Sequence, residues 1–402
     1  MPLRPPCDLF VCAGEASGDA YAAAVVAELR RRIPDLEVAG MGGPQLAAAG
    51  AEVVQPIDGM AVMGLLPVLA RLPTFLRIGR HVQAELRDRR PRVVLTIDYP
   101  GFNLRLQRSL QDLRRNGVRL VHLVAPQVWA WRRRRAKPIA GLLDRLLCFF
   151  PFEPPFFQRH GGRADFVGHP LLDLVAADHA GAAGFNLDDD RGGRLAADAR
   201  LLLLAPGSRE REVATILPVY HAAAEALLRR LRPRGGPAIQ AVVSKVPDLP
   251  IDLYRRHTDL PLVEGRYRDL LAASHLGMIA SGTATLEAAI LGTPHLIAYR
   301  TDRLTAAIGR RVLKVRHVGL PNLVAGRRVC PELLQEELSV PRLVAHAERL
   351  WDGPAREQQI AGLAEVRDRL GGGGALGRIA DAVAEELRRS RRAHTRITGM
   401  GS

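Results

Sequence analysis

The sequence predicts an α/β protein made of two successive doubly wound parallel-sheet units, and three observations predict it. Short apolar runs alternate with longer amphipathic ones, the rhythm of strands and helices in βαβ units. That rhythm restarts mid-chain, where "ARLLLLAPGSR" reads as a second first strand and loop. The 402 residues also exceed what one ordinary core organises, so two domains are expected.

In chain order, "DLFVCAG" is a first strand, followed by a loop and the helix "DAYAAAVVAELRRR". "LEVAGMGG", "PRVVLTIDYPG", "VRLVHLVAP", "RLLCFFPFE" and "ADFVGHP" supply five further strands. Residues 173–199, rich in Ala, Gly and Asp, read as an interdomain linker. The second unit runs from "ARLLLLAPGSR" through "AIQAVVSK", "LPLVEG", "HLGMIASGT" and "HLIAYR". "GGGG" at 371–374 breaks the chain before a last helix, "RIADAVAEELRRSRR". The expected domains are therefore 1–175 and 195–365, with a terminal helical segment at 366–392.

Hydrophobic content of 47% and charged content of 25% are those of a soluble globular protein. The net charge of +15 and a pI near 10.7 invite an anionic partner: nucleic acid, anionic lipid or a phosphorylated substrate. Almost all of that surplus is Arg, which a GC-rich genome also produces. Cys7, Cys12, Cys148 and Cys330 contain no C-x-x-C pair, so neither a disulfide framework nor a zinc site is indicated, and a reduced cytoplasm fits. His122, His160, His169 and His295 lack metal-ligand spacing and read as structural. The N-terminus lacks the apolar core of a signal peptide. "MAVMGLLPVLA" is broken by Pro67 and falls short of the ~20 residues that a membrane span needs.

Six stretches carry chemistry. In "VCAGEASGDAYA", Gly14, Glu15 and Ser17 occupy a strand-to-helix loop without the G-x-G-x-x-G order, and a loop carboxylate would repel a pyrophosphate. A simple polar N-cap by Ser17 or Asp19 is an equal reading. "VVLTIDYPGFN" ends a strand on Asp98, where ligands of open parallel sheets bind, so this carboxylate is placed to deprotonate a hydroxyl or merely to cap a helix. "APGSRE" offers the amides of Gly207 and Ser208 with the Arg209 fork, a phosphate grip that is not a Walker loop. "SGTATLE" opens a helix with Ser281, Gly282, Thr283 and Thr285, and Glu287 follows one turn in, suited to ribose hydroxyls. "VWAWRRRRAK" interleaves Trp129 and Trp131 with Arg132 and further cations. It suits nucleic acid, a lipid headgroup surface, or one buried Trp beside a solvated basic run. Residues 60–90 run from a bulky apolar face to a basic one, either core plus solvent or a channel for acyl chains.

Taken in order, "GEASGD", "VMG", "DYPGFN", "VWAWR", "PFE", "FVGHP", "PGSR", "SGTATLE", "AYR", "LPN" and "PELLQ" resemble the lipid-A-disaccharide synthases, over about residues 9–337. The resemblance implies a GT-B fold, two Rossmann-like domains facing a cleft, and an inverting glycosyl transfer in lipid A biosynthesis. It implies UDP-2,3-diacylglucosamine as donor and 2,3-diacylglucosamine 1-phosphate (lipid X) as acceptor. A β-1,6-linked tetraacyl disaccharide 1-phosphate and UDP are the products, with no metal or other cofactor. On this reading the first domain is the acceptor and membrane side, the second binds the UDP-sugar, and the terminal helix packs back on the first.

Carried over by residue, Asp98 is the base for the acceptor's 6-hydroxyl. Ser208 and Arg209 hold the leaving diphosphate with the helix that begins at Ser281–Thr283. Glu287 holds the ribose, Asn322 of "LPN" lines the same pocket, and Gly14, Glu15 and Ser17 close the site from the N-terminal side. Met63, Trp129, Trp131 and Arg132 would contact acceptor or membrane, docking the protein peripherally on the inner face of the cytoplasmic membrane. Nucleic acid is not an expected partner, and a homo-oligomer is left open. Pro67 stands where the family commonly has Glu, and Ala125 and Gln127 where it has serines, all on the acceptor side. The alternative is another UDP-sugar-dependent GT-B glycosyltransferase acting on a membrane lipid intermediate, which should lack "GEASGD" and "DYPGFN".

Overall fold

A computed structural model describes residues 6–58, 60, 71–180, 190, 199–231, 238–301 and 315–398. It divides into two compact units, Met1–Pro170 with Gly373–Ser402, and Leu171–Gly372.

The first unit holds a seven-stranded parallel sheet of order β3-β2-β1-β4-β5-β6-β7. Its strands are β1 (Leu9–Ala13), β2 (Val38–Gly42), β3 (Glu52–Pro56), β4 (Val93–Ile97), β5 (Arg119–Leu123), β6 (Arg145–Cys148) and β7 (Ala164–Phe166). β1 and β4 are buried along their whole length, because helices cover both faces of a central parallel strand. Leu9 and Val11 pack with Val25 and Leu29 of helix Ala16–Arg32 on one face, and with Ile379 and Val383 of helix Ala375–Thr398. Phe10 and Cys12 point to the other face, toward Val82 and Leu86 of helix Leu72–Arg89.

Helix Ala375–Thr398 is tied to the first sheet by charge as well as packing. Arg119 donates to Glu386 at 2.9 Å and Arg163 at 2.7 Å, while Arg145 donates to Glu385 at 2.7 Å. Glu386 is fully buried and meets all three guanidiniums.

The second unit holds a six-stranded parallel sheet of order β10-β9-β8-β11-β12-β13. Its strands are β8 (Arg200–Ala205), β9 (Ile239–Lys245), β10 (Leu262–Glu264), β11 (Ser274–Ala280), β12 (His295–Tyr299) and β13 (Glu332–Leu334). Tyr220 of helix Glu210–Arg230 and Trp351 of helix Val340–Trp351 fill one side of it.

Two strands escape the sequence reading, β3 and β13, and both are sheet edges. The stretch read as a linker begins with a helix, Leu171–Ala180, beside helix Thr283–Leu291; residues 181–189 and 191–198 lie outside the described residues.

In each sheet the chain lays strands outward from the first one, then returns to its other side. The reversal falls between β1 and β4 in one unit and between β8 and β11 in the other. A crevice forms outside the carboxyl ends of strands at such a point, because successive crossovers leave in opposite directions.

Candidate active site

In the first unit, the loop after β1 carries Gly14 and Glu15 and the loop after β4 carries Asp98 and Tyr99. Asp98 and Tyr99 are both left-handed, with φ of 44° and 48°. That conformation is costly for residues with a Cβ. Hydrogen bonds impose it. The Asp98 amide donates to Leu123 O at 2.9 Å, and Asn103 Nδ2 donates to Asp98 O at 2.8 Å and Ile97 O at 3.1 Å. Asn103 is fully buried, and its motif was legible in the sequence although its bracing role was not. The Tyr99 hydroxyl donates to Met60 O at 2.9 Å.

Gly14 is required by close approach: a Cβ there would lie 2.4 Å from the Tyr99 ring. Burial raises the Asp98 carboxyl above the usual carboxylate range, and the neighbouring Glu15 charge raises it further. Ser17 donates to Glu15 at 2.9 Å. Asp19 turns away to cap another helix, accepting the amides of Gly43 at 2.6 Å and Gln45 at 3.0 Å.

Beside Tyr99 lies a cavity of about 500 Å³ lined by Leu72, Phe75, Leu76, Phe102 and Leu106, with Arg80 and Arg105 also in its wall. It is apolar with a cationic margin, the composition that an anionic amphiphile needs. Leu76 is 48% exposed.

In the second unit, the loops after β8 and β11 bound a cavity of about 490 Å³. Gly207, Ser208 and Arg209 line it from one side and Ser281, Gly282 and Thr283 from the other. Gly207 has φ of 119°, and a Cβ there would meet Glu212 Oε2 at 2.3 Å. Glu212, at the third position of helix Glu210–Arg230, turns back to accept the Ser208 amide at 3.0 Å and the Arg209 guanidinium at 2.8 Å. These same donors suit a phosphate. Lys245 at the carboxyl end of β9 also lines the cavity and pairs with Glu264 at 2.8 Å. A single Lys closing an apolar strand gives little sequence signal, and it was missed.

The remaining residues fall elsewhere. Thr285 is buried and donates to Gly282 O at 2.7 Å, closing its own helical turn. Glu287 accepts from Arg268 at 2.7 Å, and it is not among the residues lining the cavity. Asn322 is a fully buried bracket rather than a pocket wall: its Nδ2 donates to Glu332 and Cys330 O, and its Oδ1 accepts the amides of Val329 and Cys330. Trp129 is turned inward and only 8% exposed; its Nε1 donates to Glu153 at 3.1 Å and its ring meets Phe152 edge-on at 4.9 Å. Desolvation pushes the Glu153 carboxyl up to about 8. Trp131 stays 41% exposed, with the Arg132 guanidinium 4.2 Å above its ring. Met63 and Pro67 lie outside the described residues.

The profile of the lipid-A-disaccharide synthetase family matches residues 9–370. The chain belongs to this family. A lipid-A-disaccharide synthase of Myxococcus xanthus is 41% identical over 391 residues, covering 96% of this chain and 99% of that one. One from Geobacter sulfurreducens is 38% identical, covering 94% and 97%. Among solved structures, the calicheamicin glycosyltransferase CalG4 superposes with a TM-score of 0.58 at 18% identity, covering 96% and 99%. UDP-GlcNAc 2-epimerase from Neisseria meningitidis gives 0.62 at 13% identity, covering 94% and 100%. The fold class is thus that of the GT-B glycosyltransferases and epimerases. As a member of the lipid-A-disaccharide synthase family the chain is a hexosyltransferase, with sugar-nucleotide and lipid substrates.

Proposed function

We propose that the chain transfers 2,3-diacylglucosamine from UDP-2,3-diacylglucosamine to the 6-hydroxyl of lipid X, with inversion. The observation that carries the assignment of roles is the placement of Asp98 at one topological switch point and the Gly207–Arg209 and Ser281–Thr283 loops at the other. In the reaction Asp98 takes the proton of the acceptor's 6-hydroxyl as its oxygen attacks the anomeric carbon. The bond from that carbon to the β-phosphate oxygen breaks, and the electron pair leaves with UDP. Arg209, Lys245 and the amides of Ser208 and of the helix start at Thr283 take up the diphosphate charge. Glu287 is assigned to the ribose, sharing its carboxylate with Arg268. Glu15 holds the proton affinity of Asp98 high, nearer the range of a working base.

The apolar cavity beside Tyr99 takes an acyl chain of the acceptor, and Arg80 and Arg105 attend its phosphate. Such an acceptor resides in a bilayer, so the protein docks peripherally on the inner membrane face through Leu76, Trp131 and Arg132. Among the described residues no helix is long and apolar enough to cross a membrane.

The test is to incubate purified protein with both acylated sugars and follow the products by mass spectrometry. UDP and a disaccharide 1-phosphate are expected. Consumption of the donor with water alone as acceptor, or no consumption, would reject the assignment.

A further inference from the structure

The second unit carries another hollow, at the opposite end of its sheet from the nucleotide loops. Pro331, just before β13, is in its wall, and so is Gln359, which brackets His295 at the start of β12 through its N–H and C=O. It therefore sits at the amino-terminal ends of the strands, whereas Gly207 and Ser281 follow their carboxyl ends. At ~3.3 Å per residue, the length of β11 alone sets the two about 20 Å apart.

The hollow has a volume of about 250 Å³, and Arg327, Arg328, Arg349 and His346 converge on it without any Asp or Glu in its lining. Arg327 is partly neutralised by Glu365 outside the hollow. Among the described residues Arg328 donates to a carbonyl, Glu332 O at 3.1 Å, and to no carboxylate. Arg349 forms no ion pair among the described residues. Arg342, one turn before His346 on the same helix, pairs with Glu337 at 3.1 Å. Convergent, under-compensated guanidiniums around a small polar cavity match the forked geometry of phosphate oxygens. We propose that this hollow binds the phosphate group of a small free anion, inorganic phosphate or a phosphate monoester.

His346 reports on the site. Burial lowers its proton affinity, Arg328, Arg349 and Arg342 lower it further, and only Glu337 opposes them. A bound dianion would offset that field and raise the imidazole's affinity for a proton. Binding of the dianion is then coupled to proton uptake by His346, offset by the proton that monoanionic phosphate gives up, so the readout is the His346 midpoint rather than the overall pH dependence of affinity.

The experiment is an NMR titration of the His346 ring proton in the full chain, assigned with His346→Gln. Inorganic phosphate should move the His346 midpoint up by about half a unit or more, against chloride at matched ionic strength. Arg349→Ala, an exposed residue, should lose that response without loss of folding. Arg209→Ala should keep it, which separates this site from the nucleotide loops and from the function proposed above. Equal shifts with chloride, no shift with phosphate, or an undiminished response in Arg349→Ala would overturn the proposal. So would a response to UDP alone that Arg209→Ala abolishes.

Discussion

At the residue scale, the first unit concentrates unfavourable features at one turn. Two consecutive residues with Cβ atoms sit in left-handed backbone, and a half-buried carboxylate lies beside another carboxylate. Such cost persists only where the surroundings over-determine it, and Asn103, Leu123 O and the absent side chain of Gly14 do so here. The charge pairing gives a prediction with a definite sign. Asp98 must be ionised to act as a base, so activity falls as pH drops through its raised pKa. Glu15→Gln removes one of the causes that raise it, so the acid limb of the kcat/KM profile should move to lower pH. A limb that stays in place would break the link between Glu15 and Asp98. Sequence alone showed that Asp98 ends a strand. The brace by Asn103 and the choice of Trp129 as the buried Trp were not legible, because Asn103 meets the carbonyls of Ile97 and Asp98, and Trp129 meets Glu153, only after folding.

At the element scale, strand, loop and helix starts were readable where a strand is buried on both faces, since a continuous apolar run then stops at small or polar residues. β3 and β13 are edges, short and in part solvent-facing, and gave no such run. Asn322 was expected in the pocket from its motif, yet its amide is consumed in fixing the chain from Val329 to Glu332. In the proposed assignment the loop after β8 and the end of β9 together carry the donor's phosphates, so Lys245→Ala should weaken UDP binding about tenfold, roughly 1.4 kcal/mol. Calorimetric titration with UDP checks this, and unchanged affinity would remove Lys245 from the site. The terminal helix makes a separate prediction. Glu386→Ala leaves four guanidiniums, those of Arg119, Arg145, Arg163 and Arg389, facing a buried gap and should destabilise the protein by roughly 2–3 kcal/mol, the low side for a broken buried pair because those guanidiniums keep partial solvent access. Asp381→Ala on the same helix, whose pair with Arg32 is solvent-exposed, should cost about 0.5 kcal/mol or less. Urea unfolding distinguishes the two, and equal losses would contradict the burial argument.

At the scale of the whole molecule, the +15 charge is ambiguous among anionic partners from the sequence, and the proposed function assigns it to a lipid surface. Vesicle sedimentation should show binding that rises with the anionic lipid fraction and weakens with salt. Indifference to both would sink membrane docking while leaving the transferase chemistry intact. The proposed chemistry divides between the units: one activates the acceptor and the other grips the departing diphosphate. The most direct test is Asp98→Asn, with turnover and UDP affinity measured on the same preparation. Turnover should fall by about 10²–10⁴-fold with UDP affinity unchanged. The melting temperature should rise, because a carboxyl whose folded pKa is raised destabilises the native state at neutral pH. Near-normal turnover, or a parallel loss of UDP binding, would contradict that division.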